Sequence, residues 1–280
     1  MIRLENVNYE YPNGTIALRN INLRIKKGEF LAIMGQNGAG KTTLIRLLNG
    51  LLRPTHGTIH FKGQDISDQT IASLSKKVGI IFQNPLHQLF SNTVEDELRF
   101  SLKSMGLSKE EIEDKILKTM IKYDLEKYKN RSPLNLSGGE AKKLAIASIM
   151  CRDPEVLVFD EPTLGQDAKE ISLFIELLKT EREKKKTIII VTHNVEFAFH
   201  FIPRIIFMSK GRILADGPSS QLLTNGFLVN SASLIYPQIH SFKLGLKKIG
   251  LNLPENIFKD SELAEYLTKY IKNYMNIEKA

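Results

Sequence analysis

A chain of 280 residues, 42% hydrophobic and 25% charged, has the length and apolar content to bury a sizeable core, which excludes a disordered polar tract. Its 39 Lys and Arg against 31 Asp and Glu give a formal net charge of +8, compatible with nucleic acid, anionic lipid or phosphorylated ligands and selecting none of them. The solitary Cys151 excludes an internal disulfide, fits a reducing compartment and reads as a packing residue.

Met1 to Tyr11 carries acidic and polar side chains where a secretory signal needs an uninterrupted apolar core, so the chain is expected to stay in the cytosol. Ile21-Asn22-Leu23-Arg24-Ile25 alternates apolar with polar, and Ile59-His60-Phe61 does so more briefly, which predicts an antiparallel edge subdomain with one solvated face. Phe30 to Met34, Val156 to Phe159 and Ile188 to Val191 are short β-branched runs of the kind found in parallel strands buried on both faces. None is long enough to cross a bilayer core of roughly 30 Å, so membrane association has to come through a partner.

Directly after the first of these runs, Gly35-Gln36-Asn37-Gly38-Ala39-Gly40-Lys41-Thr42 matches the phosphate-loop pattern, with Leu44, Ile45, Leu47 and Leu48 starting a helix behind it. Glycines let the backbone curl and bring its N–H groups against phosphate. The helix N-terminus adds partial positive charge, Lys41 a full charge for the β- and γ-phosphates, Thr42 a hydroxyl for magnesium, and Thr43 a contact to a neighbouring phosphate oxygen.

From about Pro85 to Arg152 the strand-like runs stop. Ser108 and Glu111 have capping-box spacing, and Ile112, Ile116 and Met120 recur at four-residue intervals, so this stretch is expected to be a helical insertion. Within it, Leu136-Ser137-Gly138-Gly139-Glu140 precedes the helix-prone Ala141 to Ala145 and forms a second glycine-rich helix start, another anion site. One nucleotide needs one phosphate loop, so a second cradle makes sense if it closes over a nucleotide held by another subunit.

Val156 to Asp160 then ends a buried run in two adjacent carboxylates. Successive strand residues point oppositely, so Asp160 is assigned to the magnesium shell and Glu161 to the attacking water as general base. Lys184-Lys185-Lys186 reads as a solvated turn. Beyond Gly226 the pattern changes, and Leu263, Tyr266, Leu267, Tyr270, Ile271 and Tyr274 trace an amphipathic stripe after a cap at Asp260 or Ser261.

Leu136 to Glu140, lying between Lys41 and Asp160, resembles the signature motif of ABC ATPases, and the resemblance runs to about Gly217. It implies an α/β phosphate-loop NTPase cassette with a mixed, largely parallel core sheet, an N-terminal antiparallel β subdomain, a helical signature subdomain over about 85–152 and a small C-terminal helical appendage. Residues 1–225 would form the ATPase and 226–280 an appendage that helps it dimerise.

The resemblance further implies a head-to-tail dimer in which Ser137, Gly138, Gly139 and Glu140 of one subunit meet the ATP held by Lys41 of the other. Gln83 resembles the glutamine that touches magnesium and water, and His193 the switch histidine that contacts the γ-phosphate and positions the water. Asp167, in Gly165-Gln166-Asp167, resembles the loop crossing the dimer interface, and Tyr11 the aromatic that stacks on adenine, with Tyr9 as competitor. Ala141, Gln166 and Asn194 depart from the family pattern without removing a phosphate, metal or water ligand.

Asn84 to Glu97 and the tail from Ile235-Tyr236-Pro237-Gln238-Ile239 through Leu244 to Gly250 resemble ATPases of energy-coupling-factor importers of vitamins, cobalt and nickel. That subgroup implies ATP and Mg2+, a second ABC ATPase that is a copy or a paralogue, a transmembrane coupling subunit, a separate membrane substrate-binding subunit, and a place on the cytoplasmic face of the cell membrane. Nucleic acid is not an expected partner: ABC proteins acting on DNA or ribosomes interrupt or duplicate the cassette. A kinase or GTPase on the same phosphate loop has no use for the signature motif or for His193.

Overall fold

The computed structural model describes residues 1–248, 250, 251, 253, 254, 257 and 260–277. The chain opens with β1 (Ile2–Glu10) and β2 (Ile16–Ile25), an antiparallel pair in which buried Ile21, Leu23 and Ile25 alternate with exposed Asn22 and Arg24. β3 (Phe30–Met34), buried at every residue, leads into α1 (Lys41–Leu48). β4 (His56–Phe61) pairs with β1 and turns through Lys62-Gly63, both at positive φ, into the short β5 (Gln64–Asp65). α2 (Ile71–Lys77), capped by Thr70, feeds β6 (Val78–Ile81).

Three helices follow: α3 (Val94–Leu102), α4 (Lys109–Lys122) and α5 (Gly138–Met150). Thr93 caps the first, and reciprocal boxes start the other two, Ser108 with Glu111 and Ser137 with Glu140. Their apolar faces close on Leu98, Leu102, Ile116, Met120 and Leu144 to make a small core of their own.

The chain then alternates through β7 (Val156–Asp160), α6 (Ala168–Glu183), β8 (Thr187–Val191), α7 (Val195–Phe201), β9 (Arg204–Ser209) and β10 (Arg212–Pro218). It ends in α8 (Ser219–Leu222), α9 (Gly226–Ser231), α10 (Gln238–Lys248) and α11 (Asp260–Ile277).

The strands form two sheets, an antiparallel one ordered β2-β1-β4-β5 and a six-stranded one ordered β10-β9-β3-β8-β7-β6. In the second, every pairing is parallel except β9 with the edge strand β10, so the sheet is mixed as expected. One apolar core fills the space between the sheets and includes Leu31, Ile33, Leu44 and Val158. Another covers the opposite face, where Phe159 and Phe174 meet edge to face at 5.0 Å. Since β3, β7 and β8 run side by side in one direction, the loops after Met34, Asp160 and Val191 leave the sheet along one edge.

The lysine run is only partly a solvated turn. Lys184 and Lys185 are exposed, the latter at φ 57, but Lys186 is buried, reaching Asp153 and lying 3.4 Å from the fully buried Glu181. A carboxylate removed from water needs a cation beside it, which draws the third lysine inward. In α11, Leu263, Tyr266 and Leu267 are half-buried while Tyr270 and Ile271 are exposed, and Ser261 lies inside the helix rather than at its cap. Ile249 and the side chains of Asp260 and Tyr274 lie outside the described residues.

Candidate active site

The loop between β3 and α1 is packed from behind by backbone. A Cβ on Gly35 would lie 2.1 Å from the Met208 carbonyl oxygen, and Ala39 is buried, whereas Gln36, Asn37 and Gly38 face solvent. Lys41 folds back into the loop, its ammonium donating to the carbonyls of Gly35 at 2.7 Å and Gln36 at 3.0 Å. Burial lowers the pKa of Lys41, and the carboxylates of Glu161 and Asp160 oppose that shift. Thr43 is buried, and its hydroxyl shares a 2.9 Å hydrogen bond with the Tyr11 phenol. Tyr9 belongs to the core and packs edge to face on Tyr11, whose ring is half-buried against the same core.

Asp160, the last residue of β7, is buried and accepts a long 3.4 Å hydrogen bond from the Thr42 hydroxyl. Its pKa is raised, first by burial and then by neighbouring Glu161, against the pull of Thr42, Lys41 and Arg46. The folded chain therefore holds the Asp160 proton more tightly than the unfolded chain, and ionised Asp160 weakens the fold above the ordinary carboxylate range. Asp160→Asn is expected to raise the thermal midpoint of the nucleotide-free protein at pH 7, with the gain vanishing as pH falls through the carboxylate range, and to lose ATP turnover. Thermal scans at several pH values check the first part, and a midpoint below wild type at pH 7 would refute it.

Glu161, immediately after the strand, adopts a left-handed backbone with φ 48. That turn carries its carboxylate to the end of β8, where Oε1 lies 2.8 Å from Nδ1 of His193. Oε2 accepts from the Thr192 hydroxyl at 3.2 Å and more weakly from the His193 N–H at 3.4 Å. A non-glycine residue in this region carries strain of about 1 kcal/mol or more, held here by three hydrogen bonds. Asn194 caps α7 through Phe197 and reaches Thr163 at 3.4 Å, which steadies the loop that carries His193.

The second glycine-rich helix start is open to solvent at Ser137 and Gly138. Glu140 is turned back on its own helix: its carboxylate accepts from the Tyr128 hydroxyl and, at 2.8 Å, from the Ser137 N–H, which in that order hold its pKa down to about 2. Glu140 thus acts as a cap in this chain. Gly139 abuts Glu170, whose backbone N–H is capped by Asp167 at 2.8 Å. Lys142, one turn along α5, donates to the Pro162 carbonyl beside Glu161. Gln83 is exposed just beyond β6, the strand neighbouring β7.

Residues 18–164 match the ABC transporter family. The chain belongs to the ABC transporter family of ATP-binding proteins. It is 38% identical over 283 residues to the energy-coupling factor transporter ATP-binding protein EcfA2 of Clostridium perfringens, covering 97% of this chain and 99% of that protein. It superposes with a TM-score of 0.70 and 34% identity on the structure of cbiO1 from Clostridium perfringens, described as part of the ABC transporter complex cbiONQ, covering 89% of this chain and 96% of that one. It superposes equally well, at 31% identity and over 78% of this chain and 99% of the other, on the dimeric post-hydrolysis state of the ATP-binding cassette MJ0796 bound to ADP and Pi. The chain spans 43% and 45% of the length of two longer relatives, putative ABC transporter ATP-binding proteins of Methanosarcina acetivorans and Methanosarcina mazei.

In this ABC protein the phosphate loop, Asp160, Glu161 and His193 thus gather at one edge of the sheet, while the signature motif stands apart on the helical portion. Among the described residues no hydrogen bond joins Ser137, Gly138 or Gly139 to the phosphate loop, and no helix is long and apolar enough to cross a membrane. The Lys142 contact was not legible, because it joins segments 20 residues apart and a lysine does not announce its partner.

Proposed function

We propose that this chain hydrolyses ATP in a head-to-tail pair with a second ABC ATPase, a copy or a paralogue, and drives an importer of the energy-coupling factor type. The observation that carries the chemistry is the 2.8 Å contact between Glu161 and His193 beside a phosphate loop whose lysine is held inward. Lys41, Thr43 and the loop N–H groups hold the phosphates, and Tyr11 takes the adenine. Glu161 accepts the proton of the attacking water, and His193 fixes that carboxylate and meets the γ-phosphate. Ser137, Gly138 and Gly139 complete the partner's site, with Asp167 at the crossing between subunits.

The oxygens of Asp160 and Thr42, 3.4 Å apart, are a sparse hard-donor set that suits Mg2+, which keeps most of its shell from phosphate and water; Gln83 supplies a further oxygen. When bound, the ion neutralises charge on the β- and γ-phosphates. Buried Asp160 and half-buried Thr42 hold their oxygens ready through their mutual hydrogen bond.

The membrane partner is supported by a groove of about 590 Å³ on α3 and the loop before it, lined by Phe90, Asp96, Arg99, Phe100 and Lys103. Phe90 and Phe100, 64% and 53% exposed, stand edge to face at 4.7 Å, an apolar pair rimmed by charge that fits a helix end of a transmembrane coupling subunit at the cytoplasmic face. A separate membrane subunit would carry the vitamin or metal ion. Phosphate release by the purified chain, with affinity capture from native membranes, tests the assignment. Turnover with a captured transmembrane protein and a second ATPase is expected; turnover with retained ribosomes or DNA would keep the ATPase and sink the importer.

A further inference from the structure

Two hydrogen bonds tie the C-terminal part of the chain to the phosphate loop and to α7, the helix that follows His193. The Ser233 hydroxyl donates to Oε1 of Gln36, the exposed second residue of the phosphate loop, at 3.1 Å and across 197 residues of sequence. Five residues further on, the Gln238 N–H donates to Oε1 of Glu196 at 2.6 Å. Glu196 lies in the first turn of α7, the helix entered directly from His193 and Asn194. Residues 232–238 therefore span from the phosphate loop to the helix that follows the His193 loop.

The span is anchored rather than draped. α9 ends with Ser233 N–H donating to Asn230 O and Leu234 N–H to Val229 O, the paired bonds of a Schellman cap. Ala232 is fully buried, Leu234 packs on the same core as Phe159, and Pro237 is buried. The cap places residue 233 at φ 55, where glycine is the ordinary occupant and any side chain is strained by about 1 kcal/mol. What serine adds over glycine there is the hydroxyl, and that hydroxyl is spent on Gln36.

We propose that residues 232–238 form a strap that fixes the spacing between the phosphate loop and the α7 helix, with Ser233 a positioning residue for bound nucleotide. The proposal rests on the phosphate loop being a nucleotide site. ATP has to fit between Lys41 and His193, and a strap joined to the phosphate loop and to the helix behind His193 narrows the range of separations these segments sample before binding.

Equilibrium titration with a fluorescent N-methylanthraniloyl ATP, together with steady-state ATP turnover, tests it on Ser233→Gly, Ser233→Ala and Glu196→Ala in the full chain. In both Ser233 variants the Kd is expected to rise about threefold to tenfold, one hydrogen bond's worth. KM should follow, with kcat within about twofold of wild type. Ser233→Gly, relieved of strain, is expected to unfold at or above the wild-type midpoint without nucleotide, which separates positioning from folding. Combining Ser233→Ala with Glu196→Ala should cost less than the two losses summed, since either cut frees the same strap. Wild-type affinity in both Ser233 variants, or a loss in Ser233→Gly that tracks a lower midpoint, would overturn the strap. A wild-type protein that binds no nucleotide would overturn the site itself.

Discussion

Glu161→Gln is expected to lower ATP turnover by about 10²-fold to 10⁴-fold, the range a positioned general base contributes. The substitution keeps the size of the side chain and leaves an amide oxygen to accept from Thr192 or the His193 N–H, so the local turn survives. What is lost is the ability to take a proton from water. Nucleotide should still bind, because Lys41 and the loop N–H groups are untouched, and the pair of ATPases should persist with ATP trapped between them. Phosphate release and size-exclusion chromatography with ATP read both effects. Unchanged turnover would remove Glu161 as the base.

Gly35→Ala is expected to unfold the protein at a markedly lower temperature and to abolish ATP binding. Two conflicts add at this position: the backbone sits at φ 147, which side chains rarely adopt, and the new Cβ would overlap the Met208 carbonyl at 2.1 Å. That carbonyl belongs to β9, a central part of the sheet, so it cannot swing aside as a side chain would. A cost of about 3 kcal/mol follows from strain plus overpacking. The Gly35 carbonyl also holds the Lys41 ammonium, so the damage reaches the phosphate site directly. Gly38→Ala is the control, since a Cβ there meets nothing within 4 Å and only the φ of 79 opposes it. Thermal midpoints and nucleotide titration should separate the two, and equal losses would show that crowding against β9 is not the cause.

The elements that were legible in the sequence are those whose signal is local. Phe30 to Met34 and Ile188 to Val191 are uninterrupted β-branched runs because both of their faces are covered, and the Ser108 box needs only four residues. β1 was missed because Ile2, Leu4, Val7 and Tyr9 lose strict alternation where the strand bulges against its neighbour. β9 and β10 were equally open to reading, with an apolar run at Ile205 to Met208 and a Lys210-Gly211 turn, but no motif drew attention to them. Lys186 looked like its two neighbours, and only the tertiary placement of Glu181 distinguishes it.

At the site, glycine spacing pointed to the phosphate loop, the strand end to Asp160 and Glu161, and the family resemblance to His193. Tyr9 and Tyr11, alternate residues, look alike in sequence, and the fold distinguishes them by burying Tyr9. The Ser137–Glu140 box is as local as the Ser108 one, whereas the second bond to Glu140 comes from Tyr128 on a separate turn.

The contacts among Gly139, Glu170, Asp167, Lys142 and the Pro162 carbonyl have a consequence for how such chains diverge. They mount the signature motif and the loop after Glu161 as one block within a single polypeptide. In a head-to-tail pair of the kind proposed above, a change at residue 139 or 142 would be felt by the same chain's loop after Glu161 as well as by the nucleotide that the partner holds. On that reading, the two members of such a pair would change block by block rather than one motif at a time.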